Sequence, residues 1–97
     1  MYIQDVSIMY PLWKGFEVRP SRSADKEMAH LRVYLDDVLR ILEDGKNCEK
    51  SKRKKGVFEK RLRIRGQMIR ITVVKSETRW SGDTVWLIIH VGEDSER

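Results

Sequence analysis

Arg61, Arg63 and Arg65 occupy alternate positions, so on a β-strand their side chains leave one face roughly 7 Å apart. Phosphates along a single nucleic-acid strand repeat at a similar spacing, and a guanidinium can grip phosphate oxygens through two parallel N–H bonds. The chemistry open to such a row is recognition of a polyanion backbone. Arg70, on the next apolar-alternating stretch, joins the row if the strand register allows it. Upstream, Lys50 to Gly56 forms a basic loop containing Lys52, Arg53, Lys54 and Lys55. Mutual repulsion keeps such a loop mobile and able to close over a nucleic-acid backbone. Trp80, in the loop Glu77 to Gly82, offers a ring on which a base could stack. Each feature also has a plainer reading: a sheet face kept soluble by charge, a solvated connection, and an indole folded over the core.

Groups able to move a proton are few. His90 follows Trp86 by four residues, so by the period-two rule the two share a strand face. His30 lies on the flank of a helical stripe. Cys48 is the only cysteine, and neighbouring Lys46 and Lys50 would lower its thiol pKa, but no base is identifiable beside it. No His, Cys, Asp and Glu spacing suggests a metal site, and no glycine-rich phosphate loop is present. Neither a metal nor another cofactor is expected.

The charge is partitioned along the chain. Eleven of the twenty Lys and Arg residues fall between Lys46 and Arg70 against only Glu49 and Glu59, which leaves +9 in that stretch. The remainder carries −4, so the net charge of +5 is a local feature. Charge clustered in this way is the footprint of RNA or another polyanion partner. Ninety-seven residues, 40% hydrophobic and 36% charged, suit one domain with one modest core. The longest apolar run, Val85 to Ile89, is too short to span a bilayer, so no membrane partner is expected. The opening residues lack the pattern of a signal peptide, and a lone cysteine fits a reducing compartment, which makes the cytoplasm the expected location.

The elements that must position these groups read as follows. Residues 1–15 form an N-terminal arm or edge strand, and Phe16-Glu17-Val18-Arg19 alternates until Pro20 stops it. Met28, Leu31, Leu35, Val38, Leu39 and Leu42 recur at steps of three and four, predicting helix from Asp25 to Asp44. Ser23 is the expected N-cap and Gly45 the expected C-cap. Poor helix formers at Val33 and Tyr34 leave one helix or two equally open. Phe58, Leu62 and Ile64, then Ile69, Ile71 and Val73, alternate around a turn at Arg65-Gly66-Gln67, predicting a hairpin with one apolar and one basic face. Thr84 to Val91 is apolar on both faces and should lie inside the sheet. Residues 93–97 should fray. The expected fold is α+β: one or two N-terminal helices packed on a small antiparallel sheet of three to four strands, forming a core over residues 16–92.

The run Asp36-Asp37-Val38 to Leu42 and Gly45, with the strand order that follows it, resembles a small prokaryotic family related to BrnT-type toxins of the RelE-like ribonuclease superfamily. The resemblance covers Val18 to Gly92. It implies a toxin-type protein that binds and cleaves RNA without a metal and pairs with an acidic antitoxin. It assigns the 2′-hydroxyl proton to His90, with Tyr34 as a substitute. Where that family opens its first helix with a His followed by Arg, this chain has Ser21 to Lys26, with Arg22 and Lys26 but no His. A non-catalytic nucleic-acid-binding module and a subunit docking an acidic protein are the rival readings. The ribonuclease reading depends on Arg61, Arg63 and Arg65 projecting together, with no carboxylate of the protein bound to them.

Overall fold

The helical stripe breaks in two because its weak point adopts a left-handed turn. In the computed structural model, which describes residues 10–48, 55–78 and 82–94, Arg32 has φ 58°. Its backbone N–H reaches back toward the Ala29 and Met28 carbonyls and ends helix α1 (Arg22–Leu31). Helix α2 (Leu35–Asp44) starts afresh, with the Asp37 carboxylate accepting the Tyr34 backbone N–H at 2.9 Å. The N-cap of α1 is Ser21 rather than Ser23: Ser21 Oγ accepts the Ala24 N–H at 3.1 Å. Ser21 still holds extended geometry because its own N–H bonds the Ile88 carbonyl at 2.9 Å, so the chain passes straight from strand into helix and Ser23 falls inside the first turn.

The helices lie on a six-stranded mixed sheet, which corrects the expected antiparallel sheet of three to four strands, while the α+β class stands. The strands are β1 (Leu12–Trp13), β2 (Phe16–Pro20), β3 (Lys46–Asn47), β4 (Val57–Ile64), β5 (Gln67–Glu77) and β6 (Thr84–Glu93). Their spatial order is β1-β2-β6-β5-β4-β3. β2 runs parallel to β6, with Val18 beside Trp86 and Pro20 beside Ile88, and every other pair is antiparallel. Two-residue strands carry no period to read, and the partner of β2 lies at the far end of the sequence. Pro20 is tolerated because it ends the ladder. β6 lies between β2 and β5, as its two apolar faces require.

Phe58, Leu62, Ile64, Ile69, Ile71 and Val73 turn toward the helices, where Val38, Ile41, Leu42 and Met28 meet them. A bulge then breaks the alternation in β6. Thr72 pairs with His90 but Val73 pairs with Ile88, so Ile89 is supernumerary and 41% exposed. Trp86, Ile88 and Val91 consequently all point into the core. His90 is displaced to the other face, so the expected shared face of Trp86 and His90 does not exist. Glu93 and Asp94 do not match the expected fraying: Glu93 is in β6, and the Asp94 N–H bonds the Met68 carbonyl at 2.7 Å, while residues 95–97 lie outside the described residues.

At Gly45 the end of α2 lies tight against the β4 backbone. Its φ of −74° suits any residue, but a Cβ there would strike the Ile41 carbonyl oxygen and come within 2.8 Å of that of Arg61. Both obstacles are backbone. We predict that Gly45→Ala lowers stability by about 1–3 kcal/mol, the usual cost of overpacking, read as a lower urea midpoint with an unchanged slope. A midpoint equal to that of the parent would show that α2 and β4 can separate freely.

Candidate anion-binding surfaces

The arginines expected to form one vacant row are divided between two faces, and Arg61, Arg65 and Arg70 are matched with carboxylates. Arg61 and Arg63 follow the parity of Glu59 and leave β4 on the face away from the helices. Arg61 pairs with Asp94 at 3.2 Å, and Arg63 Nη1 donates to the Gly66 carbonyl at 3.3 Å. Arg70 stands opposite Arg61, and its guanidinium lies 3.6 Å from Glu59 and 3.7 Å from Asp94. Arg65 is not on the strand at all. It occupies the first position of the two-residue turn between β4 and β5, with φ 46°, followed by Gly66 at φ 84°. Two consecutive positive φ values give the primed turn that matches strand twist, and glycine meets that demand where arginine only tolerates it.

From this turn Arg65 swings back to the helical side. It donates to both oxygens of Asp37, at 3.0 and 2.8 Å, and to the Arg32 carbonyl at 2.6 Å, with its guanidinium 5.6 Å from the Tyr34 ring centre. The hydrogen bonds from Arg65 hold the Asp37 carboxyl below its usual pKa despite partial burial, and Asp37 in turn raises that of Arg65. Tyr34 is therefore a partner of this latch. His90 pairs instead with Glu27 at 3.4 Å, and the other oxygen of Glu27 accepts the Val91 N–H, which has no strand partner beyond Pro20. His90, expected to move the proton, and Tyr34, its expected substitute, are engaged in separate contacts. Cys48 also departs from expectation, since burial and nearby Glu59 raise its thiol pKa more than the surrounding cations lower it. Lys52, Arg53, Lys54 and Trp80 lie outside the described residues. Among the described residues no group of His, Cys, Asp and Glu could hold a metal ion, and no helix is long and apolar enough to cross a membrane.

A second set of cations was missed in the sequence. Lys60 and Lys75 continue the apolar parities of Phe58-Leu62 and Ile71-Val73, so both point to the helical face. That parity was the available signal. Lys60 Nζ donates to the Leu42 carbonyl near the end of α2 at 2.8 Å and stands 5.5 Å from the Trp13 ring centre. Lys14, at φ 48° in the β1–β2 turn, folds back to 5.2 Å from the same ring. Lys75 lies 5.1 Å from Phe16 and 5.5 Å from Trp86. Beneath them Trp13, Phe58 and Trp86 pack with centroids 5.0–5.5 Å apart, and Trp86 Nε1 donates to the Trp13 carbonyl at 2.9 Å. Partial burial and then the charge of Lys14 lower the pKa of Lys60. Lys55 joins Lys75 in an adjacent open cleft of about 440 Å³ that Glu77 also lines.

No family model matches the chain, and neither a curated protein nor a solved structure is significantly similar to it. The pairing of Arg65 with Asp37 leads to a pH prediction. A carboxyl with a depressed folded-state pKa adds stability above its unfolded value, near 4, and loses it as pH falls through the folded value. Asp37→Asn should therefore lower the melting temperature at neutral pH, with the difference from the parent shrinking as pH drops from about 5 to about 2. A difference that stays constant across that range would remove the ionised carboxylate from the account.

Proposed function

We propose that this protein binds single-stranded RNA, as a non-catalytic module, through the lysine-bearing end of its helical face. One observation carries this reading. Lys14, Lys60 and Lys75 come from three separated stretches and converge on one aromatic cluster. Among the described residues, none of the three has a carboxylate within ion-pair distance. Bringing like charges together is unfavourable, and the charge of Lys14 adds to partial burial in depressing the pKa of Lys60. Aromatic faces offset part of that cost, about 0.5–2 kcal/mol per cation, but supply no counter-charge. A phosphodiester strand would supply it, and Lys55 adds a further cation beside Lys75 in the adjacent cleft.

Arg61 and Arg70 on the opposite face do not support the same role in this state, because their charge is met internally by Glu59 and Asp94, as that of Arg65 is by Asp37. RNA cleavage and an acidic antitoxin are implied only by the resemblance to BrnT-type toxins, and the contacts of His90 and Tyr34 add nothing to either.

The test is fluorescence anisotropy of a labelled single-stranded RNA across a salt series. Three lysine–phosphate contacts give a log–log slope near −2, and the exposed double variant Lys14→Glu/Lys75→Glu should flatten it by about 1 to 1.5 while weakening binding at low salt. An unaltered slope in a folded variant would move binding off this surface. Polyglutamate competing as well as unlabelled RNA would replace RNA with an acidic protein as the partner.

A further inference from the structure

Arg61 and Arg70 are direct cross-strand partners on the face opposite the lysine cluster. Like charges so placed repel, and the chain meets them with one shared carboxylate. Asp94 sets Oδ2 3.2 Å from Arg61 and Oδ1 3.7 Å from Arg70, dividing its two oxygens between two guanidiniums. A tetrahedral oxyanion can bridge a pair of arginines in the same way, with more oxygens and more charge. The incumbent is weakly fastened. Asp94 lies one residue past β6, and its backbone is tied to the sheet by the single N–H bond to Met68. Its side chain can rotate away without unpairing the strand. Glu59, the other carboxylate at this pair among the described residues, stands at 3.6 Å from Arg70, too far for a strong hydrogen bond. The guanidinium-bearing side chains remain 48% and 36% exposed, so a solute can reach both.

We infer that Arg61 and Arg70 form a phosphate-type oxyanion site that Asp94 occupies as an internal counter-ion and that an incoming phosphate group must displace. With Asp94 in place the two guanidiniums face two carboxylates and are neutral overall; with it displaced the site carries an excess positive charge. This goes beyond the RNA-binding reading, since it concerns the other face and requires no RNA.

The experiment titrates inorganic phosphate into the full chain at constant ionic strength held with chloride. It follows the arginine Nε–Hε resonances of Arg61 and Arg70 and the Asp94 carboxyl carbon. All three should move together and saturate. Asp94→Asn should tighten the phosphate dissociation constant about threefold to fivefold, the scale of one exposed ion pair, and Arg61→Gln or Arg70→Gln should abolish the response. Three results would overturn the proposal. One is an Asp94→Asn protein with an unperturbed amide spectrum elsewhere and an unchanged constant. Another is a response that chloride reproduces at equal ionic strength. The third is phosphate shifts confined to Lys60 and Lys75, which would favour the lysine surface while eliminating this one.

Discussion

The contact between Arg65 and the elbow of the two helices is what fixes the helical layer over this sheet. One guanidinium reaches from the tip of the β4–β5 hairpin to Asp37 at the start of α2 and to the Arg32 carbonyl at the end of α1. The same Asp37 side chain caps the first turn of α2. A hairpin tip, a helix end and a helix start thus share one planar cation, which a lysine could not replace because it lacks the fork. The price is two left-handed non-glycine residues, Arg32 and Arg65, each held in place by the junction it helps to form.

That division of labour extends over the surface. Arginines meet carboxylates: Arg61 with Asp94, Arg65 with Asp37, Arg70 with Glu59, and Arg19 with Glu17 at 2.6 Å. Arg19 and Arg65 have a tyrosine ring as well as a carboxylate, whereas Lys14, Lys60 and Lys75 have a ring but no carboxylate, each long apolar stem covering the ring and leaving the ammonium at the rim. Geometry explains the sorting, since a planar fork matches a carboxylate and a point charge on a flexible stem matches a quadrupole. Lys14, Lys60 and Lys75, none with a carboxylate in ion-pair range among the described residues, therefore gather around Trp13 and Trp86.

Much of the fold was legible where a period was long enough to count. The stripe from Met28 to Leu42 and the parities of Phe58-Leu62 and Ile69-Val73 placed the core correctly. The helix break was open in the weak formers Val33 and Tyr34, and Arg32 resolved it. Three things were illegible for physical reasons. β2 is five residues long and its parallel partner is remote, so no local pattern could announce the pairing. β6 is apolar on both faces, so it carries no phase from which a bulge at Ile89 could be seen, and His90 was assigned to the wrong side. The arginine row looked vacant because ion pairing with Asp94 and Asp37 spans 33 and 28 positions, respectively. Lys60 and Lys75 were visible in principle, yet a charged residue inside an apolar alternation invites the assumption that it faces water.

The parallel ladder between β2 and β6 has a temporal meaning. Val18 and Trp86 are neighbours in space across sixty-eight positions of chain. The β4–β5 hairpin and both helices, by contrast, close over short loops. Closing the longer loop costs entropy that nearby contacts must already have offset. On this ground we expect assembly to run from the middle of the polypeptide outward, with the segment around Val18 unhoused until β6 is in place to receive it.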